Sequence, residues 1–197
     1  LCDVSERVAA AGALRRSEER FRLAMEATGE VLVDADLLDG RVAWAGAVAA
    51  VLGYEPATID PDVSWLYARL HPDDVARAHA AYAALRRDHG DRWELTVRFR
   101  HADGRWLHLE AHGLVVRDAE GRATRCVGAV RDVTERRRMA DALAESQSRL
   151  ALALEAARMG TWRWVPSTGV LHWSEGMGPL FGLPRGAPAP DFDHFLE

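Results

Sequence analysis

The sequence predicts an α+β domain: a five-stranded antiparallel sheet with helices on one face, flanked by long linker helices. Three observations carry that expectation. Two strand-like segments precede a helical stretch and three more follow it. The later three are joined by short turns rich in Asp and Gly, as a meander requires. Words near the start of the chain also recur at a fixed offset, which makes the unit a repeating domain.

The first strand spans Glu30 to Asp36 and the second Arg41 to Ala45, with Asp39-Gly40 turning the chain between them. Helical segments follow, one around Val63 to Leu70 and a longer one from Pro72 to Arg87, which opens on acidic residues and closes near Gly90. Beyond Gly90, Trp93, Leu95, Val97 and Phe99 alternate with Glu94, Thr96, Arg98 and Arg100, a period of two with one apolar face. After the turn Ala102-Asp103-Gly104, Leu107, Leu109, Ala111 and Gly113 continue that face. A further turn, Asp118 to Gly121, leads to a last strand from Arg125 to Val133, with Cys126, Gly128 and Val130 on one side.

Asp3-Val4-Ser5-Glu6-Arg7 returns as Asp132-Val133-Thr134-Glu135-Arg136, an offset of 129 residues. The same offset maps Gly40, Trp44, Gly53 and Asp62 onto Gly169, Trp173, Gly182 and Asp191. Residues 1–7 therefore read as the end of a preceding repeat, 8–29 as a linker helix and 30–134 as a complete domain. Residues 135–158 read as a connecting helix and 159–197 as the truncated start of a second domain. Ser5 and Thr134 sit where an N-cap serves the first turn of each helix. In the second helix Met139, Leu143, Ser146, Leu150, Ala153 and Ala157 are spaced alternately by four and three, a heptad seam. Leu14, Phe21 and Met25 form a similar stripe in the first. Leu14, Phe21, Met139, Leu143 and Leu150 are the expected seam of a parallel dimer; the alternative is an amphipathic helix lying on its own domain.

Composition excludes several classes. All 25 basic residues are arginine, and the net charge of -5 is scattered in both signs, without the clustered basic face that nucleic-acid binding needs. Cys2 and Cys126 lie far apart with no metal-ligand spacing, which fits a reducing cytoplasm. No run of about 18 apolar residues marks a membrane span, so no membrane contact is expected within this segment. No nucleophile triad, phosphate-binding glycine loop or autophosphorylation motif is present, so no catalytic site is expected.

Specific words then resemble the PAS family with its C-terminal PAC segment. They are Ser17 to Arg22 (SEERFR), Val51-Leu52-Gly53-Tyr54, His71-Pro72-Asp73-Asp74, Arg98 to Trp106 (RFRHADGRW) and Val127 to Arg136 (VGAVRDVTER). The nearest subgroup resembles the PAS_3-like sensors of bacterial histidine kinases and diguanylate cyclases. The resemblance implies a cytoplasmic, homodimeric sensor in tandem with other PAS copies, and an output domain elsewhere in the same chain. It also implies a cavity between sheet and helices, lined by Trp93, Leu95, Val97, Phe99, Leu109, Ala111, Cys126, Gly128 and Val130 and closed by Trp65, His79 and Tyr82. Small residues at 111, 113 and 128 would leave room there for an apolar or aromatic ligand, since an unpaired charge is costly to bury. The alternative is that these side chains pack as ordinary core, giving a ligand-free dimerisation and spacer module.

No cofactor is required. Flavin photochemistry of the LOV type needs a helical Asn-Cys-Arg word, which is missing. Haem would need an inward histidine, and His79 alone is placed for it, although a lone histidine on a long helix is ordinarily solvated. His108 and His112, four apart on a strand, stand about 13 Å from one another and cannot share an ion. Asp132 and Thr134 join the last strand to the outgoing helix and are the expected signal relay.

Overall fold

The computed structural model describes residues 27–87 and 90–189, together with positions 12, 15, 19 and 20. Leu14 and Phe21 of the expected seam, residues 1–7, most of the linker 8–29 and residues 190–197 lie outside the described residues. The chain divides into two compact units, one ending at Arg137 and the other beginning at Arg138.

In the first unit, β1 (Val31–Asp36) and β2 (Arg41–Gly46) form the expected hairpin, in register from Val31 opposite Gly46 to Asp36 opposite Arg41. Short helices α1 (Val48–Leu52) and α2 (Val63–Tyr67) follow, then α3 (Pro72–Arg87). The meander β3 (Arg92–Arg100), β4 (Trp106–Arg117) and β5 (Ala123–Asp132) completes one antiparallel sheet of order β2-β1-β5-β4-β3. The alternation read from the sequence decides the faces. Val97, Phe99, Leu107, Leu109, Cys126 and Val130 are buried, while their strand neighbours are partly or fully exposed. Phe99, Leu37, Leu52, Leu107 and Val31 are among the fully buried side chains. Each such burial stabilises the fold by roughly 1.5–3 kcal/mol.

One helix is shorter than its sequence suggests. The stretch expected to run to Leu70 leaves the helix at Tyr67, because its next residues bond to the open edge of β3. Leu70 bridges Phe99, the His71 N–H donates to the Arg98 carbonyl at 2.9 Å, and the Arg100 N–H donates to the Arg69 carbonyl at 2.8 Å. α2 starts where Asp62 caps it, its side chain accepting the Ser64 N–H at 2.8 Å. α3 starts at Pro72, where a missing N–H costs nothing. The His71 Nδ1 accepts the Asp73 N–H at 3.3 Å.

The second unit holds most of α4 (Thr134–Ala156), the hairpin β6 (Trp162–Val165) and β7 (Val170–Trp173), and the single turn α5 (Met177–Leu180). The 129-residue offset carries the end of β1 onto the end of β6 and the start of β2 onto the start of β7. Gly40 and Gly169 share a φ of +68°. At one matched position the residues differ: Gly29 has φ +65°, whereas Arg158 adopts φ +53° with a side chain that disfavours that region. Replacing Arg158 with Gly is expected to stabilise the second unit, by at most about 1 kcal/mol. A lowered melting temperature would contradict that.

Candidate functional site

A cavity of about 360 Å³ lies between the sheet and the helices of the first unit. β1 and β2 contribute Val33, Ala35, Val42 and Trp44; the helices contribute Val63, Leu66, Tyr67, Ala78, Ala81, Tyr82 and Leu85. From the meander come Trp93, Leu95, Val97, Phe99, Leu109, Ala111, Cys126 and Val130. Ala78 and Ala81, three apart on one face of α3, are too small to fill the space beneath the roof. Gly90, Arg92 and Glu94, at and just before the start of β3, complete the lining.

The interior is chemically quiet. The Tyr82 hydroxyl donates to the Leu37 carbonyl at 3.2 Å, and burial raises the pKa of both the Tyr67 and Tyr82 phenols. Burial, reinforced by the negative charge of Asp34, pushes the Cys126 thiol up to about 11, so it is neutral and unreactive at neutral pH.

One lateral row of the sheet reads Trp93, Gly113, Gly128, Val33 and Trp44. A Cβ added at Gly113 would stand 2.8 Å from Trp93 Nε1, and one at Gly128 2.5 Å from Trp93 Cζ2. The indole therefore lies across both glycines, and the room they leave is already filled.

Two arginines tether the roof helix. At its start Asp74, only 3% exposed, accepts the Arg98 backbone N–H at 2.8 Å and its Nε and Nη2 at 3.0 Å, with Arg77 at 3.1 Å. Those bonds, the Arg98 side chain first among them, hold the Asp74 carboxyl well below the ordinary carboxylate range. At the other end Arg117 from β4 donates to the Gly90 carbonyl at 3.0 Å and the Leu85 carbonyl at 3.4 Å.

The junction of β5 with α4 is a compact network. The Asp132 carboxylate accepts both the N–H and the hydroxyl of Thr134, the former at 2.8 Å. The Thr134 hydroxyl in turn accepts the His108 N–H of β4 at 2.8 Å. The Val133 N–H donates to the His108 carbonyl at 2.9 Å, and Arg136 Nη2 donates to both oxygens of Glu110 at 2.8 Å. Asp132 thus supplies the capping side chain expected of Thr134, because the Thr134 hydroxyl is drawn across to β4.

This geometry can be set beside known proteins. Residues 41–130 match the PAS fold family, PAS_3. The crystal structure of a sensory box histidine kinase/response regulator from Burkholderia thailandensis is 30% identical, with a TM-score of 0.56 over 67% of this chain and 98% of that one. This chain belongs to the PAS family. A two-component sensor of Pseudomonas aeruginosa, PprA, is 37% identical over 98 residues, 47% of this chain. An uncharacterised protein of Sinorhizobium fredii is 29% identical over 160 residues, 81% of the chain. The chain spans only 10% and 19% of the lengths of those two relatives. It thus carries a PAS sensory domain related to two-component sensors. No helix among the described residues is long and apolar enough to cross a membrane.

Within the PAS domain, Tyr82, Trp93, Leu95, Val97, Phe99, Leu109, Ala111, Cys126 and Val130 are brought together around the cavity. Three residues expected there are not. Gly128 lies beneath the Trp93 indole. Trp65 turns instead into an aromatic cluster, 5.1 Å from Tyr54 and 5.8 Å from Trp44, with the Arg69 guanidinium 3.8 Å over its ring. His79 is exposed on α3 and stacks on Tyr67 at 4.1 Å, outside the cavity lining. The PAS cavity also takes β1 and roof-helix residues that the sequence reading missed. Val31, Val33 and Ala35 at period two, and Ala78, Ala81 and Leu85 at helical spacing, were the signals that could have found them. Met139, Leu143 and Leu150 sit on α4 with most of their surface exposed.

Proposed function

We propose that this chain is the sensing and dimerising segment of a larger cytoplasmic signalling protein, with no catalytic site of its own. A small apolar ligand in the PAS cavity alters the sheet, and β5 passes the change through Asp132 and Thr134 into α4. From there it reaches an output domain, a histidine kinase or diguanylate cyclase, in the same chain. The supporting observation is that β5 carries both ends of the path. Cys126 and Val130 line the cavity, while Asp132, two residues on, holds the first residue of the helix. A second PAS domain beginning near residue 159 belongs to the same reading, supported by the matched hairpin of the second unit.

Dimerisation along α4 is supported by Leu143 and Leu150, each 60% exposed and seven residues apart. In the full chain, Leu143→Asp with Leu150→Asp is expected to shift sedimentation from dimer to monomer. Thr134→Val is expected to speed amide exchange at residue 108 and in the first turn of α4, since the His108 N–H loses its acceptor. Unchanged sedimentation would remove the seam, and unchanged exchange would remove the relay. A native mass spectrum separates sensing from a ligand-free spacer role: a co-purifying small molecule supports the first.

A further inference from the structure

Resting on the cavity and second-domain readings above, we propose that the two PAS copies are not duplicate sensors. Two floor positions that are open in the first copy are taken by indoles in the second, so a ligand that occupies the first cavity is refused by the second. In the first hairpin Val33 stands opposite Trp44 and Ala35 opposite Val42, and all four line the cavity. In the second hairpin Trp162 stands opposite Trp173 and Trp164 opposite Leu171. The 129-residue offset carries one set onto the other residue for residue. Trp44 and Trp173 match, so the large difference falls at 33 and 35, where an isopropyl and a methyl group become indoles.

The indoles share the face that the cavity uses. Residues directly opposite on paired antiparallel strands project to the same side, so Trp162 goes with Trp173 and Trp164 with Leu171. Leu171 is buried, and Trp173 stacks on Phe181, 5.2 Å away at the end of α5. Phe181 is the counterpart of Leu52, fully buried at the end of α1. That side of the second hairpin is therefore its helix side, as it is for Val33 and Ala35. Trp162 and Trp164 are exposed there, because the long helix and meander that enclose Val33 and Ala35 have no counterpart among the described residues of the second unit. The two exchanges add roughly 200 Å³ of close-packed side chain, more than half of the first cavity's volume of about 360 Å³. A core packed at native density yields such space only by moving its backbone.

The experiment is equilibrium dialysis of the full-length protein against 1-naphthol, a bicyclic probe uncharged at neutral pH. Trp162→Val with Trp164→Ala should add one bound naphthol per chain. Val33→Trp with Ala35→Trp should remove one. Ala35→Leu, a smaller step that the fold accommodates more readily, should weaken the first site about tenfold with the melting temperature held. An unchanged count in the Trp162 and Trp164 variant, or a count lowered by one, would overturn the proposal and leave the cavity reading standing. Folded Val33 and Ala35 variants that bind as much naphthol as the parent would overturn both.

Discussion

Asp74→Ala is expected to cost the first unit about 3 kcal/mol, a large share of the 5–15 kcal/mol that holds a typical domain together. The carboxylate is buried and serves three donors of Arg98 besides Arg77. Removing it leaves the Arg98 backbone N–H at the edge of β3 without an acceptor and frees the start of the roof helix. Urea unfolding with an unchanged m-value would measure the loss, and a change below about 1 kcal/mol would mean the network adds little. The pH dependence has a definite sign. Because the Asp74 pKa is depressed on folding, its contribution is complete above the ordinary carboxylate value near 4. It is lost as pH falls through the folded-state value. Asp74→Asn should therefore flatten the acid limb of the stability profile as well as lower the plateau.

Gly113→Ala should be comparably damaging, at about 3 kcal/mol, although it adds one methyl group. A Cβ there would stand 2.1 Å from the Val127 carbonyl oxygen and 2.5 Å from the Gly128 Cα, both backbone atoms of β5. The strands must separate or the methyl cannot fit. The Trp93 indole is the lesser obstacle at 2.8 Å, so a double variant with Trp93→Leu tests the cause. Thermal unfolding of that double variant should stay as low as that of Gly113→Ala. Recovery to near the parent value would mean that the indole, and not the strand spacing, sets the requirement for glycine.

Strand alternation made most of the sheet legible, because a residue's face depends only on local backbone geometry. Val97 and Phe99 point inward as their spacing says. What fills the space above a face depends on residues far away in sequence. Gly128 looked like open floor, yet Trp93 on another strand covers it. Trp65 has the size and helical position of a cavity residue, but Tyr54, Trp44 and Arg69 offer it a cluster elsewhere. The helix expected through Leu70 yields to the edge of β3, a competitor not visible within the helix's own sequence. Asp74 belonged to a quoted motif word, yet its role lay hidden because Arg98 is 24 residues away. Asp132 and Thr134 were found together, but which of them caps the helix was decided by His108 on β4.

The strand order β2-β1-β5-β4-β3 sets a timetable for folding during synthesis. The strand made last belongs in the middle, so the β1–β2 hairpin and the β3–β4 pair have no shared partner until residues 123–132 leave the ribosome. Pairing across such long sequence separations is slow, and the apolar faces of both halves stay uncovered meanwhile. The nascent chain is thus most prone to aggregate just before β5 emerges. The same ten residues that end this exposure deliver the first turn of α4, so the outgoing helix cannot be anchored on an unfinished sheet.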